Sequence, residues 1–237
     1  MLHPLILTFF PSHCLLCRKL LEKPGEKIVC HRCLSLAEAH RGPVCPVCGR
    51  FYHNPSASSL PCGDCLEQPL SYSRHRSFGP YSGQLKEIIL LFKYRGYEGL
   101  RRPLAIMLQE VLEREGLLEN VDLIIPVPLH RKREKSRGYN QAALLSSALS
   151  ELTGVPWLSE ALVRTRNTPP QVSLQAAERI TNLKGAFKVK KAEKVAGRVV
   201  LLVDDVFTTG STLRECAGEL SKAGAREVRA ATLARAV

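Results

Sequence analysis

Eight cysteines stand in four C-x2-C pairs: Cys14/Cys17, Cys30/Cys33, Cys45/Cys48 and Cys62/Cys65. That spacing turns two thiolates toward one tetrahedral metal. The intervals between pairs are 12, 11 and 13 residues, and shifting the first two pairs by 31 or 32 positions lands on the second two, so the unit reads as a duplication. Two structural zinc ions are expected, with consecutive pairs sharing an ion preferred over an interleaved cross-brace, between which the near-equal intervals do not decide. His13, His31 and His53 stand nearby, but eight thiolates already fill two sites. Sites closed by sulfur on every side fold a domain and leave no position for catalysis. The ninth cysteine, Cys216, shares a helical stripe with Leu213, Ala217 and Leu220 and reads as core.

A second group of residues has a different chemistry. VVLLVDDVFTTGST, residues 199–212, runs five apolar residues into Asp204 and Asp205, then into a hydroxyl-rich turn around Gly210. Burying aliphatics beside paired negative charge is costly unless a cation or a polyhydroxylated ligand occupies the site. In an open parallel sheet, ligands bind beyond the carboxyl ends of strands, and the following helix offers N–H groups to anions. Thr208, Thr209, Gly210, Ser211 and Thr212 can form a backbone nest for a phosphate. The two carboxylates can accept hydrogen bonds from vicinal hydroxyls. Phosphate and diol together describe a ribose 5-phosphate.

A third group lies in RKREKSR at 131–137, with five cations in seven residues. Read as a loop after the apolar run IIPVP, it suits a diphosphate, with Arg131 and Arg137 as the candidate contacts because Arg grips phosphate bidentately. The same cations beside Tyr139 would equally suit the backbone and a stacked base of single-stranded DNA.

The elements that must position these groups divide by composition. Eight of the nine cysteines lie before residue 66. Residues 1–70 read as a double zinc ribbon and 71–237 as an α/β domain. NPSASSLP at 54–61 reads as a turn-rich spacer. In the second part, helical periodicity covers 83–96, 98–115, a segment stopped by Gly154 and a segment ended by Gly224. VDLIIPVP, GRVVLLVDD and EVRAATLAR read as strands. That alternation predicts a parallel sheet flanked by helices. MLHPLILTFFPSHC is too short to span a bilayer, is poorly built as a secretion signal, and reads as an amphipathic lead-in helix. No apolar run reaches 18 residues, so a cytoplasmic protein is expected, a compartment that disfavours disulfides. The net charge of +12 favours anionic partners. Trp157, the single tryptophan, is expected in the core, and nothing reads as a purine or pyrimidine pocket.

VLLVDDVFTTGST resembles the motif of type I phosphoribosyltransferases, with Phe207 bulkier than the aliphatic usual there. The resemblance implies that Asp204 and Asp205 contact the ribose hydroxyls of phosphoribosyl pyrophosphate and carry the chemistry, that 208–212 cradle its 5-phosphate, and that Mg2+ accompanies it. PVPLHRKREKSRGYNQA at 126–142 resembles the PVPL…RGFNQA stretch of the competence protein F (ComF/ComFC-like) family, with Tyr139 for the commoner Phe. RNTPPQVSLQAAERITNLKGAF at 166–187 is similar to that family's next region at Thr168, Gln171, Leu174, Arg179, Asn182, Ala186 and Phe187. The resemblance implies a role in natural competence, with incoming single-stranded DNA and other competence proteins as partners. An active transferase moving phosphoribose to an unidentified acceptor stays open. So does an adaptor whose phosphoribosyl site is vestigial, which the intact acidic pair and turn argue against.

Overall fold

The computed structural model describes residues 12–21, 28–52, 54, 60–68, 70–94, 96–166 and 183–236. The lead-in helix, most of the 54–61 spacer, His53 and the matches at Thr168, Gln171, Leu174, Arg179 and Asn182 lie outside the described residues. Elements are numbered among those described.

Four parallel strands form the central sheet. They are β1 (Arg74–Pro80), β2 (Leu123–Pro126), β5 (Val199–Phe207) and β6 (Glu227–Arg235), in the order β1-β6-β5-β2. The apolar runs form strands because both sheet faces are covered. Ile124, Leu201, Val203 and Leu233 pack on one face against α3 (Gly83–Tyr94), α4 (Arg101–Arg114) and α6 (Gln141–Thr153). Ile125, Val200, Leu202 and Val228 pack on the other against α8 (Ser211–Lys222), whose stripe Leu213, Cys216, Ala217 and Leu220 is buried. Each such Leu or Ile removed from water contributes on the order of 2 kcal/mol. β3 (Leu162–Arg164) and β4 (Phe187–Val189) form an antiparallel pair beside α8, and a short helix α7 (Ala192–Val195) leads into β5. No described helix is long and apolar enough to cross a membrane.

The structure differs from the sequence reading in four places. β5 continues two residues past the acidic pair to Phe207, so Asp204 and Asp205 lie within a paired strand, Asp204 opposite Thr232. The basic run is a helix, α5 (Arg131–Arg137), because His130 caps its start through Lys132 N and Gly138 ends it. Trp157 is 37% exposed, with its backbone bridged to Ile124, because the segment after α6 runs along the edge strand β2. β1 was not foreseen as a strand. Its RHRSFGP is polar, yet His75, Arg76 and Ser77 are buried.

The cysteine-rich region explains β1. Two short helices, α1 (His31–Ser35) and α2 (Gly63–Glu67), start at the second pair of each unit, with Cys30 and Cys62 at their N-caps and Cys33 and Cys65 within them. The outer edge of β1 is covered by this region: His75 N donates to Val47 O at 2.8 Å, and His40 N to Phe78 O at 2.7 Å. An exposed strand edge invites foreign pairing, and here the ribbon occupies it. Arg76 locks the contact, pairing with Glu115 at 2.8 Å while donating to Pro46 O at 3.2 Å.

Candidate functional site

The cysteines gather as two groups, Cys14/Cys17/Cys30/Cys33 and Cys45/Cys48/Cys62/Cys65, with the sulfurs of each group within 4.8 Å of one another. None of the nine cysteines is in a disulfide. Four thiolates at the zinc–sulfur distance around a tetrahedral ion stand about 3.8 Å apart. The sulfurs of Cys17 and Cys30 are 3.6 Å apart, those of Cys48 and Cys62 3.6 Å, and those of Cys45 and Cys65 3.9 Å. Backbone N–H groups also point at sulfur, from Cys30 to Cys14 at 3.4 Å and from Cys62 to Cys45 at 3.3 Å. Donor set and spacing fit two structural zinc ribbons, and the grouping is consecutive, the one of the two arrangements that the sequence reading preferred.

At the carboxyl end of the sheet, Asp205 is buried and pairs with Lys93 Nζ at 2.9 Å. Burial pulls the Lys93 ammonium pKa down, but Asp205 outweighs that and raises it. Asp204 Oδ1 accepts from the Asp205 N–H at 2.8 Å. Burial, reinforced by the neighbouring Asp205 charge, pushes the Asp204 carboxyl from 3.8 up to about 7. Two carboxylates side by side cannot both shed their protons cheaply in a desolvated place. Arg164, on β3, adds a positive field at Asp204.

The turn that follows is shaped by its own hydroxyls. Thr209 Oγ1 and Ser211 Oγ lie 2.9 Å apart, and Ser211 N points at Thr209 Oγ1 at 3.5 Å. Gly210 has φ +75° and stands at the N-cap of α8. A Cβ there would lie 2.5 Å from Phe207 Cζ, so both backbone and space demand glycine. The first turn of the twelve-residue α8 follows directly, placing its N–H groups beside the turn.

The RGYNQ stretch turns out to be scaffolding around this site. Tyr139 is buried, and its hydroxyl donates to the Phe92 carbonyl. It is therefore not available to stack on a base, which corrects the reading of the basic run as a ready single-strand platform. Asn140 caps α6 through Ala142 N at 3.0 Å and also donates to Val127 O at 3.1 Å. Gln141 Nε2 donates to Lys93 O at 3.4 Å while its Oε1 accepts from Arg137 at 3.0 Å. The Arg137 guanidinium lies 5.1 Å from the Tyr94 ring centre. Arg137 is thus tied through Gln141 to the residue that holds Asp205. Arg131 stands exposed at the start of α5, and among the described residues no hydrogen bond or ion pair ties it to the acidic pair. A cavity of about 330 Å3 lined by Leu112, Gly116 and Glu119 lies at the other end of the sheet.

Two contributors were missed from sequence. Lys93 sits in an amphipathic helix whose pattern reports only burial, and Arg164 sits in a strand too short to register. Nothing local marks either as facing the acidic pair.

A parallel sheet with an acidic strand end and a glycine turn, edged by two tetracysteine knuckles, defines a phosphoribosyltransferase-type domain joined to a double zinc ribbon. The phosphoribosyl transferase domain model matches residues 135–236, and the double zinc ribbon domain model residues 5–66. Competence protein F of Haemophilus influenzae is 36% identical over 238 residues, covering 98% of this chain and 100% of its own. DNA utilization protein YhgH of Escherichia coli K12 is 38% identical over 228 residues, covering 95% and 97%. Competence protein ComFC of Bacillus subtilis is 30% identical over 226 residues, covering 91% and 87%. The chain belongs to the competence protein F family.

Proposed function

We propose that this chain binds phosphoribosyl pyrophosphate, or a related ribose phosphate, at the end of β5, and acts in the uptake or processing of incoming single-stranded DNA in the cytoplasm. The observation that carries the ligand is the sequence of Asp204, Asp205 and the Gly210 turn leading into the α8 N-terminus. Asp204 and Asp205 accept the two ribose hydroxyls, and the N–H groups and hydroxyls of 208–212 hold the 5-phosphate. Lys93 fixes the Asp205 carboxylate in place, so little reorganisation is left for binding. Asp204, close to half protonated near neutral pH, releases its proton as the ligand arrives. Arg137, held by Gln141, is the better candidate for the diphosphate, and Arg131 can join it from the exposed start of α5.

The carboxylates are the hard oxygen donors that Mg2+ takes, and Mg2+ bound with the ligand would neutralise charge between diphosphate and ribose. The eight paired cysteines hold two structural zinc ions in a region bounded near residue 70. Relatives bearing the names competence protein and DNA utilization protein support the DNA role, as does the +12 charge. The exposed cations Arg131, Lys132 and Lys135 on α5 form the proposed single-strand contact, and other competence proteins are proposed partners.

Calorimetry with phosphoribosyl pyrophosphate and Mg2+ tests the site: binding is expected in the native chain and lost on Asp204→Asn with Asp205→Asn. Tight binding by that double variant would remove the site assignment. In the same mixtures, pyrophosphate release with a panel of bases, amines and DNA separates a transferase from a binding protein. For DNA, replacing Arg131, Lys132 and Lys135 by Gln should lower affinity and flatten the log–log salt dependence by about 2. An unchanged slope places the DNA surface elsewhere.

A further inference from the structure

Beyond the acidic pair, one arrangement joins the two halves of the molecule. The Cys48 carbonyl, inside the second cysteine cluster, accepts from Arg235 Nη1 at 2.7 Å and lies 2.9 Å from His75 Nδ1. Arg235 Nη2 also lies 3.9 Å from Cys48 Sγ. On its other side the Arg235 guanidinium stands 4.0 Å from the centre of the Phe207 ring, and the His75 ring 4.5 Å from it. All three side chains are buried. The His75 ring is fixed by Thr232 Oγ1 at 3.1 Å, itself 2.8 Å from Ser77 Oγ. Phe207 is pinned along the backbone by Ala236 N at 2.8 Å, and its ring fills the space in front of Gly210.

Burying a guanidinium is costly unless its charge and its donors are met. Here the aromatic face meets one side, and a carbonyl and a sulfur of the cluster meet the other. Four thiolates outweigh one dication, so a filled cluster is a negative neighbour that suits Arg235. The first cluster is placed differently: Cys14, Cys30 and Cys33 join the apolar core with Leu85, Ile88 and Phe92 of α3. No aliphatic side chain at position 207 could present a flat face to a guanidinium, which gives the bulk of Phe207 a purpose.

We propose that the second cysteine cluster anchors the phosphate-binding turn, with Arg235 as the positioning residue. Cys48 holds Arg235 and His75, these clamp the Phe207 ring, and the ring sets the Gly210 turn of residues 208–212. The functional meaning of this clamp rests on the assignment of that turn to the phosphate. The second ribbon is then a working part of the ligand site, and loss of its metal loosens the turn. Among the described residues, the first ribbon has no such line to it.

The test uses the full-length chain with Arg235→Met, and separately Phe207→Leu. Zinc content is measured by elemental analysis, amide exchange at 208–212 without ligand by mass spectrometry, and phosphoribosyl pyrophosphate affinity by calorimetry. With zinc content unchanged, each variant should raise exchange at 208–212 about tenfold while exchange in α4 and β2 stays as in the native chain. Affinity should fall by a similar factor, and the two substitutions together should do little more than either alone. If Arg235→Met does not fold, Phe207→Leu alone decides the matter. Native exchange at 208–212 in a folded, zinc-replete variant overturns the clamp. If the native chain binds no phosphoribosyl pyrophosphate, the phosphate assignment fails, and the exchange data still decide the clamp independently.

Discussion

The cysteine clusters and the acidic strand end are both concentrations of negative charge inside one small protein, yet they are satisfied in opposite ways. Each cluster brings four sulfurs within 4.8 Å, and its backbone N–H groups already aim at them. An ion closed by those four sulfurs would have no position left to accept a substrate. The acidic end satisfies itself provisionally: Lys93 balances Asp205, and burial beside Asp205 pushes the Asp204 carboxyl up to about 7, so that below that pH a proton balances it. On the proposed function, both of those substitutes would be exchanged for the ligand, a proton by dissociation and an ammonium by sharing. The first arrangement suits conversion of metal-binding energy into folding; the second, on the proposed function, would keep it available for recognition.

The largest effect that could break this contrast comes from the sulfur side. Cys45→Ser leaves three thiolates in the second cluster, and metal-driven folding free energies are on the order of 10 kcal/mol. Zinc per chain should drop by about one ion, and the covering of β1 by Val47 should be lost, read as rapid amide exchange at His75. If zinc and His75 protection both persist, the cluster is not the closed folding site described, and the contrast falls.

The second effect is smaller and falls on the acidic side. Asp205→Asn leaves the nearly buried Lys93 ammonium without its partner, which costs about 3 kcal/mol in comparable buried pairs. Chemical denaturation should show a loss of that order. Lys93→Met combined with Asp205→Asn should recover part of it, because the stranded charge is gone. Were the double variant no more stable than Asp205→Asn, Lys93 would not be balancing the carboxylate.

The same contrast governs what could be read from the sequence. The clusters were legible because C-x2-C is a local spacing, and the consecutive pairing needed only a preference between two arrangements. β2, β5 and β6 were legible because strands buried on both faces are plain apolar runs. β1 was not, since His75, Arg76 and Ser77 look like surface residues until the ribbon supplies Val47, Pro46 and Cys48 as partners of His75 and Arg76, and β6 supplies Thr232 to Ser77. The acidic pair and its turn were found as a motif, but Lys93 is 112 positions before its partner Asp205 in the chain. No period or spacing reports a pairing over that distance. The basic run was read as a loop because its composition is that of solvent-facing residues, and a helix of seven with a His cap has the same composition. Tyr139 misled for a related reason: an aromatic among cations looks like a stacking platform until its hydroxyl is seen on the Phe92 carbonyl.

The smallest effect is a titration, and it sharpens the idea that a proton stands in for the ligand at Asp204. In the folded chain this carboxyl holds its proton up to about pH 7, whereas the unfolded one loses it near 3.8. Between those values folding takes up a proton, so Asp204 makes the folded state less stable as pH rises from about 4 to 7. Ligand binding should run the other way. If the ribose hydroxyls and Mg2+ require the ionised carboxylate, affinity for phosphoribosyl pyrophosphate should climb by up to about tenfold per pH unit below 7 and level off above it. Calorimetry in buffers of different ionisation enthalpy would show the released proton. Asp204→Asn should flatten both dependences, raising stability at pH 8 relative to the native chain while weakening binding there. A native chain whose affinity is flat from pH 5.5 to 8 would mean that the ligand leaves the Asp204 proton in place, and the strand end would then be as closed as the clusters.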